Sequence, residues 1–215
     1  MIIRFRKSII CIGIWGCCLV VEAALAQPAG NVKTEPSGTA TFEATTNIPG
    51  ITVHGKSDAV RAKLDMRRSP DGLLLDNVEA WVAVSSLTTG MALRDEHMRK
   101  LVFTGPDGHA PDIRFSGRQA RCPVSPGREL QCRISGTLSI RGAERPFEVA
   151  LKVKQEGDAS PVFRASGDAV VKMSEFGIER PSQLGVKTEN DVKLHLLFTA
   201  RPGAMIASAG NGGRQ

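Results

Sequence analysis

Apolar and polar side chains alternate with a period of two along most of the chain after residue 37. In one stretch, apolar residues occupy positions 147, 149, 151 and 153, and charged residues occupy positions 148, 152 and 154. Successive side chains of a β-strand point to opposite faces, so this period predicts strands with one apolar and one polar face. Eight segments have strand character: 38–46, 51–67, 73–87, 112–121, 131–140, 147–153, 162–173 and 192–198.

Strands with a single apolar face are typical of an antiparallel sheet that has one side on a core and the other in water. Turn-forming residues at Pro70–Gly72 and Arg141–Glu144 join neighbouring strands closely, which favours a sheet that closes on itself. We therefore predict an all-β domain over 38–200, folded as an eight-stranded antiparallel barrel. A barrel of this size is just wide enough to be filled by side chains or to hold one ligand.

Many residues predicted to point inward are small, which leaves room in the lumen. They are Ala40, Ala44, Ala62, Ala80, Gly117, Gly136, Ala165, Gly167 and Ala169. The alternative is that phenylalanine and leucine side chains from opposite walls fill this room. A barrel in a membrane would turn its apolar faces outward and carry aromatic girdles. The chain has no tyrosine, and its polar strand faces are charged, which favours a barrel in water.

The alternation is interrupted once, where Leu93, His97 and Leu101 recur at helical spacing. Residues four apart lie on one face of a helix, so these three form a single line. We predict a short amphipathic helix whose line of three residues lies across one end of the barrel as a lid. Thr88 or Thr89 is the predicted cap, because a threonine hydroxyl can accept a hydrogen bond from a free backbone N–H.

Arg94, Asp95 and His97 lie on this helix and are the candidate residues for the mouth of the barrel. Arg94 and Asp95 suit the binding of a phosphate or the control of access, and His97 suits contact with a headgroup. The alternatives are structural. Arg94 and Asp95 would then form an ion pair that holds the helix to the barrel rim, and His97 would be packed with one hydrogen bond.

The first 26 residues have the pattern of a secretory signal peptide. Three basic residues precede an apolar stretch at 8–21, which is short for crossing a bilayer, and Ala24–Ala26 forms an A-x-A cleavage site. We expect cleavage there and a periplasmic protein. Lipoprotein processing at Cys17 and a retained signal anchor are the less favoured alternatives.

Composition divides the remaining chain into one domain and two flanking segments. Residues 27–37 are polar, with glycine, proline and serine, and are predicted to be a linker. Residues 201–215 are rich in glycine, alanine and serine and are predicted to be a disordered tail. The net charge of the whole chain is +6, but the basic residues are scattered, so no nucleic-acid partner is expected.

Cys122 and Cys132 are the cysteines that remain after signal cleavage. An even pair in an exported protein favours a disulfide, and the intervening turn residues Pro123–Gly127 place the two cysteines across a hairpin. A bridge closing so short a loop contributes roughly 2–3 kcal/mol to stability. Two unpaired thiols are the alternative.

No arrangement of residues predicts catalysis, a metal or a cofactor. The four histidines, His54, His97, His109 and His195, are widely spaced and match no metal-binding motif. The G-x-S-x-G nucleophile motif is absent from the sequence. We therefore expect a protein that is not an enzyme.

Four motifs in order resemble those of the YceI-like family. They are S-S-L-T-T-G at 85–90 with R-D-E-H at 94–97, P-D-I-R-F at 111–115, I-S-G-T-L-S-I-R-G at 134–142 followed by Arg145-Pro146, and S-E-F-G-I at 174–178. The resemblance covers about 38–200. It implies a lipocalin-like antiparallel barrel with a helix near one end, and binding of a long isoprenoid or a related amphiphile in the lumen.

The expected function is therefore non-catalytic binding of a polyisoprenoid, quinone-like or fatty-acid ligand, for sequestration or transport. A bound isoprenoid or other lipid is the expected partner, with transient contact with the membrane or envelope proteins left open. The rival is a ligand-free structural or interaction module of the envelope, with a filled lumen and an exposed apolar patch. Strand parity gives the expected lumen residues as Phe42, Val82, Val84, Phe115, Leu138, Leu151, Phe163, Phe176, Leu196 and Phe198.

Overall fold

The structure is a computed structural model that describes residues 32–125, 129–157 and 162–201. The predicted signal peptide and nearly all of the predicted tail lie outside these ranges. The strands and the helix are β1 (Val32–Thr34), β2 (Ser37–Thr46), β3 (Thr52–Ser69), β4 (Gly72–Val82), α1 (Ala92–Met98), β5 (Ile113–Pro123), β6 (Leu130–Ile140), β7 (Ala143–Glu156), β8 (Val162–Lys172), β9 (Ser182–Gln183) and β10 (Val186–Ala200). Within the described ranges, none of the helices is long and apolar enough to cross a membrane.

Eight of the strands form a closed antiparallel barrel in the order β3-β2-β10-β8-β7-β6-β5-β4, with β4 pairing back to β3. The length of β3 makes this closure possible. Its first part, Thr52–Arg61, pairs with β2, and its second part, Arg61–Ser69, pairs with β4. The predicted all-β fold, an eight-stranded antiparallel barrel with one short helix, is confirmed.

The cross-strand register brings the predicted apolar faces together. Phe42 of β2 is opposite Leu194 of β10, while Leu196 of β10 and Leu151 of β7 are both opposite Gly167 of β8. Directly paired residues of neighbouring strands point to the same face of a sheet. The alternating apolar positions therefore line one continuous inner surface, and a slip of one residue in any strand would turn its apolar set to the solvent.

Two clusters of buried side chains stabilise this inner surface. The first, here called the disulfide-end cluster, consists of Met66, Leu75, Val78, Ala120, Cys122, Cys132 and Ile134. The second, the helix-end cluster, consists of Leu138, Ile140, Val171, Met173, Phe176 and Ile178. Phe115 packs against both clusters, and Val102 and Phe103, which follow α1, pack against the second.

Cys122 of β5 and Cys132 of β6 form a disulfide with an S–S distance of 2.07 Å. Both residues are buried in the disulfide-end cluster. The predicted bridge between these two cysteines is confirmed. It ties two neighbouring strands together at the barrel end that lies opposite α1.

The strand predicted over 73–87 is shorter than the sequence suggested. It ends at Val82, and a 3-10 turn follows. The Ser86 hydroxyl donates to the Ala83 carbonyl at 2.6 Å and is 2.7 Å from the Ser57 hydroxyl of β3. Such local side-chain bonds compete with the backbone hydrogen bonds of a sheet. The strand therefore ends at Val82, although the alternation of apolar and polar residues continues to residue 87.

Other strand ends also differ from the predicted ones. β7 begins at Ala143 and β10 at Val186, earlier than predicted. Their first residues are largely polar and pair with the preceding strands, β6 and β9, in hairpins. The predicted linker 27–37 contains β1, which pairs with β3 through Leu64–Met66, and also the start of β2.

Candidate functional site

The inner faces of β2, β8 and β10 form a half-buried apolar surface, here called the open wall. Its residues belong to neither core cluster of the described chain, although they point to the same side of the sheet as the core residues. The open wall consists of Ala40, Phe42, Phe163, Ala165, Ala169, Leu196 and Phe198.

The inner faces of β4, β5 and β6 differ and are here called the packed wall. Most of their inward residues are buried and belong to the two clusters. They include Leu75, Val78, Ala120, Cys122, Cys132, Ile134, Leu138 and Ile140. One side of the interior is therefore closely packed, whereas the apolar side chains of the other side remain partly accessible.

A glycine explains how a large aromatic side chain can lie on the open wall without blocking it. Gly55 of β3 is the cross-strand partner of Phe42. A Cβ atom at residue 55 would collide with the Phe42 ring. The outer edge of the Phe42 ring therefore lies over Gly55, in space that a larger residue at this position would occupy.

Eight of the ten residues predicted for the lumen fall into two groups. Phe42, Phe163, Leu196 and Phe198 lie on the open wall, while Val82, Phe115, Leu138 and Leu151 lie on the inner faces of β4–β7, largely within the packed interior.

The other two predicted residues, Val84 and Phe176, are buried in the 3-10 turns that follow β4 and β8. Leu194 is missing from the predicted set. It is half-buried and shares the parity of Leu196, a signal that could have identified it.

Asp95 fastens α1 to the loop that precedes it. Its carboxylate accepts hydrogen bonds from the Thr88 hydroxyl at 2.7 Å, from the Thr89 backbone N–H at 2.6 Å and from the Thr89 hydroxyl. The loop itself is joined to the barrel, because Thr88 exchanges backbone hydrogen bonds with Lys56 of β3. A chain of hydrogen bonds thus runs from the barrel wall to the helix.

The same bonds determine the ionisation of Asp95. Hydrogen bonds from the Thr89 and Thr88 hydroxyls, opposed by burial and aided by the Thr89 N–H and by the charge of Arg99, hold the pKa of this carboxyl below its ordinary value. Hydrogen bonding to the charged form of an acid favours that form. Asp95 is therefore ionised at neutral pH although its side chain is buried.

Two of the three predicted mouth residues share a hydrogen-bond partner, and the third is apart from them. Arg94 donates from Nε to the Thr89 hydroxyl and from Nη2 to the Thr89 carbonyl, each at 2.8 Å. Arg94 and Asp95 thus meet at the same threonine, and no salt bridge joins the two within the described residues. His97 is exposed on the outer side of the helix.

Two predictions about the helix were wrong. Neither threonine caps it, since Met91 occupies the cap position without a side-chain hydrogen bond, and both hydroxyls instead bind the Asp95 carboxylate. The line predicted to close the barrel faces the solvent, with Leu93 exposed by 63% and Leu101 by 61%. The reason is the buried carboxylate, whose three hydrogen bonds orient the Asp95 side of α1 toward the barrel.

A depression of about 600 Å³ lies beside the loop Thr88–Gly90, where β2, β3 and β10 meet it. Its lining combines Phe42 and Leu194 of the inner face with polar residues of the outer face, among them Lys193 and His195. The depression therefore lies where the apolar interior meets the outer surface, close to the loop that Asp95 holds.

His195 and Asp168 are paired on the outer face of the barrel, with 2.7 Å between Nδ1 and Oδ1. Both side chains are exposed. Across the described residues, no group of three or more histidine, cysteine, aspartate or glutamate side chains is placed to hold a metal ion.

Comparison with solved structures finds similar folds in several proteins, while no curated protein matches the sequence. BcnA of Burkholderia cenocepacia has a TM-score of 0.55 and 14% identity, covering 74% of this chain and 95% of that one. A polyisoprenoid-binding domain from Saccharophagus degradans has a TM-score of 0.58 and 12% identity, covering 80% and 99%. The Campylobacter jejuni YceI protein has a TM-score of 0.57 and 17% identity, covering 74% and 90%. At these identities the likeness concerns the fold.

A sequence comparison extends the likeness from the fold to the family. The profile of the YceI-like domain matches residues 32–200. This range contains every strand of the barrel, the helix and the four motifs found in the sequence. The chain therefore belongs to the YceI-like family.

Proposed function

We propose that this protein binds a long-chain amphiphile in its barrel and carries or sequesters it in the periplasm. The observation that carries the proposal is the open wall, a stripe of apolar residues that point inward and are only half-buried. Apolar surface that faces an unfilled interior is the usual lining of a small-molecule site. The ligand classes that fit are polyisoprenoids, quinone-like lipids and fatty acids.

The free energy of binding would come mainly from burial of the lipid tail. Each CH₂ group of a lipid tail that leaves water for an apolar surrounding contributes about 0.8 kcal/mol. A tail lying along Ala165, Ala169 and Leu196 needs no specific polar partner, and a headgroup would remain near the depression beside Thr88–Gly90. In this reading Arg94, Asp95 and His97 act at the mouth, the first two by holding the loop in place.

The comparisons support the ligand class. One structural neighbour, from Saccharophagus degradans, is a polyisoprenoid-binding domain, and this chain belongs to the YceI-like family. A disulfide between Cys122 and Cys132 suits an oxidising compartment such as the periplasm. We further propose that no chemical step accompanies binding, because the side chains of the His195–Asp168 pair lie on the outer face of the sheet, whereas the apolar side chains of the open wall lie on its inner face.

The rival proposal is a ligand-free interaction module of the cell envelope. It requires a lumen filled by the protein's own side chains. The half-buried state of Phe42, Phe163 and Phe198 argues against such filling, because the aromatic side chains best able to fill the interior remain partly accessible.

Native mass spectrometry of the protein purified from the periplasm, followed by lipid extraction, tests the proposal. We expect a stoichiometric bound species with an isoprenoid or acyl tail. Ala169→Phe, on the open wall, should reduce the bound fraction by roughly tenfold, because the ring would occupy space that the tail needs.

Ala150→Phe is the matched control, since Ala150 lies exposed on the outer face of β7 opposite Asp168. It should leave the bound fraction unchanged. An apo mass for the unmodified protein, with no uptake when isoprenoids and fatty acids are added, would overturn the proposal and favour the interaction module.

A further inference from the structure

The ladder of backbone pairs between β5 and β6 is the shortest in the closed ring of strands. Among the described residues it consists of Arg114–Gly117 paired with Gly136–Ser139. The neighbouring ladders are longer, with ten residue pairs between β4 and β5 and eleven between β6 and β7. We call the stretch beyond the short ladder, 118–123 of β5 and 131–135 of β6, the seam.

A β-bulge in β5 explains why the ladder stops. Gln119 has a φ of 55°, and both Arg118 and Gln119 are exposed where strict alternation would turn one of them inward. Between the pair Gly117–Gly136 and the disulfide, β5 has one residue more than β6. An extra residue in one strand leaves that residue unpaired and disrupts the local backbone hydrogen bonds. The two strands therefore run side by side through the seam without a regular ladder.

The disulfide lies within the seam. Cys122 and Cys132 are opposite each other, with 4.2 Å between their Cα atoms. Past them, the pairing of the described residues of these two strands is a single isolated bridge between Val124 and Leu130. The S–S bond thus takes the place of the missing backbone hydrogen bonds in holding β5 and β6 together.

The seam faces the open wall across the interior. In the closed order of the barrel, β5 and β6 lie on the opposite side of the ring from β2 and β10. The inward side chains of the seam, which include Ala120 and Ile134 beside the two cysteines, belong to the disulfide-end cluster. A lipid tail on the open wall would therefore lie between that wall and this cluster.

We propose that the disulfide is a redox-sensitive closure of the barrel, which keeps the seam shut beside a bound ligand. A dithiol reduces the bond by transferring two electrons and two protons to it, so that the S–S bond breaks into two thiols and the dithiol becomes a disulfide. No regular ladder replaces the lost bond, so the seam opens locally and the ligand leaves more readily. The effect on the ligand rests on the proposed function.

Burial determines how the reduction starts. Cys122 is exposed by 1% and Cys132 by 5%, so a dithiol reaches the sulfur atoms when the seam opens transiently. A ligand that packs against the disulfide-end cluster favours the closed seam. Because coupling between two equilibria is reciprocal, a bound ligand protects the disulfide from reduction to the extent that reduction weakens ligand binding.

Hydrogen exchange of the unmodified protein, with and without dithiothreitol, tests the opening. Reduction turns β5 and β6 into the edge strands of an open sheet. We expect the seam amides that bond to β4 and β7 to exchange roughly tenfold or more faster, while the amides of β8 and β10 keep their protection. Unchanged exchange in the seam, or an equal rise in all strands, would overturn the proposal.

The matched control is Cys122→Ala/Cys132→Ala, which has no bond to reduce. Its seam should exchange fast both with and without dithiothreitol. A response of this variant to dithiothreitol would assign the effect to another group and overturn the proposal. The unmodified protein carries the test by itself, so the test does not depend on whether the variant folds.

Transfer of the co-purified lipid to phosphatidylcholine vesicles tests the effect on the ligand. Native mass spectrometry follows the decline of the lipid-bound mass over time. We expect transfer from the unmodified protein to become roughly tenfold faster after reduction, because the closed loop no longer restrains the seam.

The two measurements separate this proposal from the proposed function. Local opening of the seam with faster transfer supports both. Local opening with unchanged transfer retains the carrier function and overturns redox control of the ligand. A protein that carries no lipid before or after reduction overturns the carrier function, and hydrogen exchange still decides whether the disulfide closes the seam.

Discussion

The packed wall and the open wall belong to one continuous sheet but differ in how deeply their inward side chains are buried. The packed wall buries residues such as Val78, Ile134 and Leu138, and it contains the disulfide. The open wall combines alanine with phenylalanine and leucine that remain half-buried. Burial is therefore divided unequally within this barrel: one side packs closely and holds the fold, while the apolar side chains of the other side remain partly accessible.

The largest expected difference between the walls is in stability. Ile134→Ala should lower the free energy of unfolding by about 2–5 kcal/mol, because it leaves a cavity in the disulfide-end cluster. Leu196→Ala on the open wall should cost about 1 kcal/mol, since that side chain is only partly buried. Urea denaturation measures both values. Equal losses at the two sites would contradict the division between the walls.

Removal of the disulfide should weaken the packed wall by a smaller amount. The double variant Cys122→Ala/Cys132→Ala should lose roughly 2–3 kcal/mol of unfolding free energy, because the bridge limits the unfolded chain. Denaturation with and without a reductant provides the measurement and its control. The unmodified protein should become less stable on reduction, whereas a double variant that also responds to the reductant would show that the effect lies elsewhere.

A methyl group at residue 55 should disturb the open wall. Gly55→Ala places a Cβ atom against the Phe42 ring, which must then move into the lumen. We expect a loss of about 1–3 kcal/mol of unfolding free energy from overpacking, together with weaker lipid binding. Phe42→Leu in the Gly55→Ala background should restore part of both. If the second substitution brings no recovery, contact between these two residues is not the cause.

The smallest expected effect concerns the attachment of α1 and its dependence on pH. The pKa of Asp95 in the folded protein lies below its ordinary value of 3.8. Its contribution to stability is therefore complete above that value and is lost as the pH falls through the folded-state pKa. We expect hydrogen-exchange protection of α1 to fall selectively below about pH 4.

Asp95→Asn is the control for this prediction, since an amide has no charge to lose. The variant should show weaker protection of α1 at neutral pH and little further change on acidification. The same acid-dependent loss in the variant would assign the effect to another group. The backbone amides of the packed-wall strands provide an internal reference in each hydrogen-exchange measurement.

The strands and their inner faces were predictable because their determinants are local. The period of two at 147–153 and 192–198 places the same residues inward in the sequence and in the structure. The strand ends were less predictable. Ser86 and Ser57 are far apart in the sequence, and their contact forms only when β3 and the end of β4 are neighbours.

The division between the walls was not visible in the sequence. Phe115 and Phe163 have the same residue type and both point inward, yet only Phe115 packs against the two core clusters. Which inward residues meet across the interior depends on the curvature and closure of the sheet, and the alternation of apolar residues contains no information on this.

The strand pattern, the parity of the inner face, the disulfide and the family could be inferred from the amino-acid sequence alone, because these depend on local periods, on paired cysteines and on short motifs. The orientation of α1 depends instead on contacts that form only in the folded barrel. The line Leu93, His97 and Leu101 predicted a buried apolar side, but Asp95 binds a loop that is held in place by β3. A buried carboxylate with three hydrogen-bond donors is costly to expose, and those donors come together only in the folded barrel.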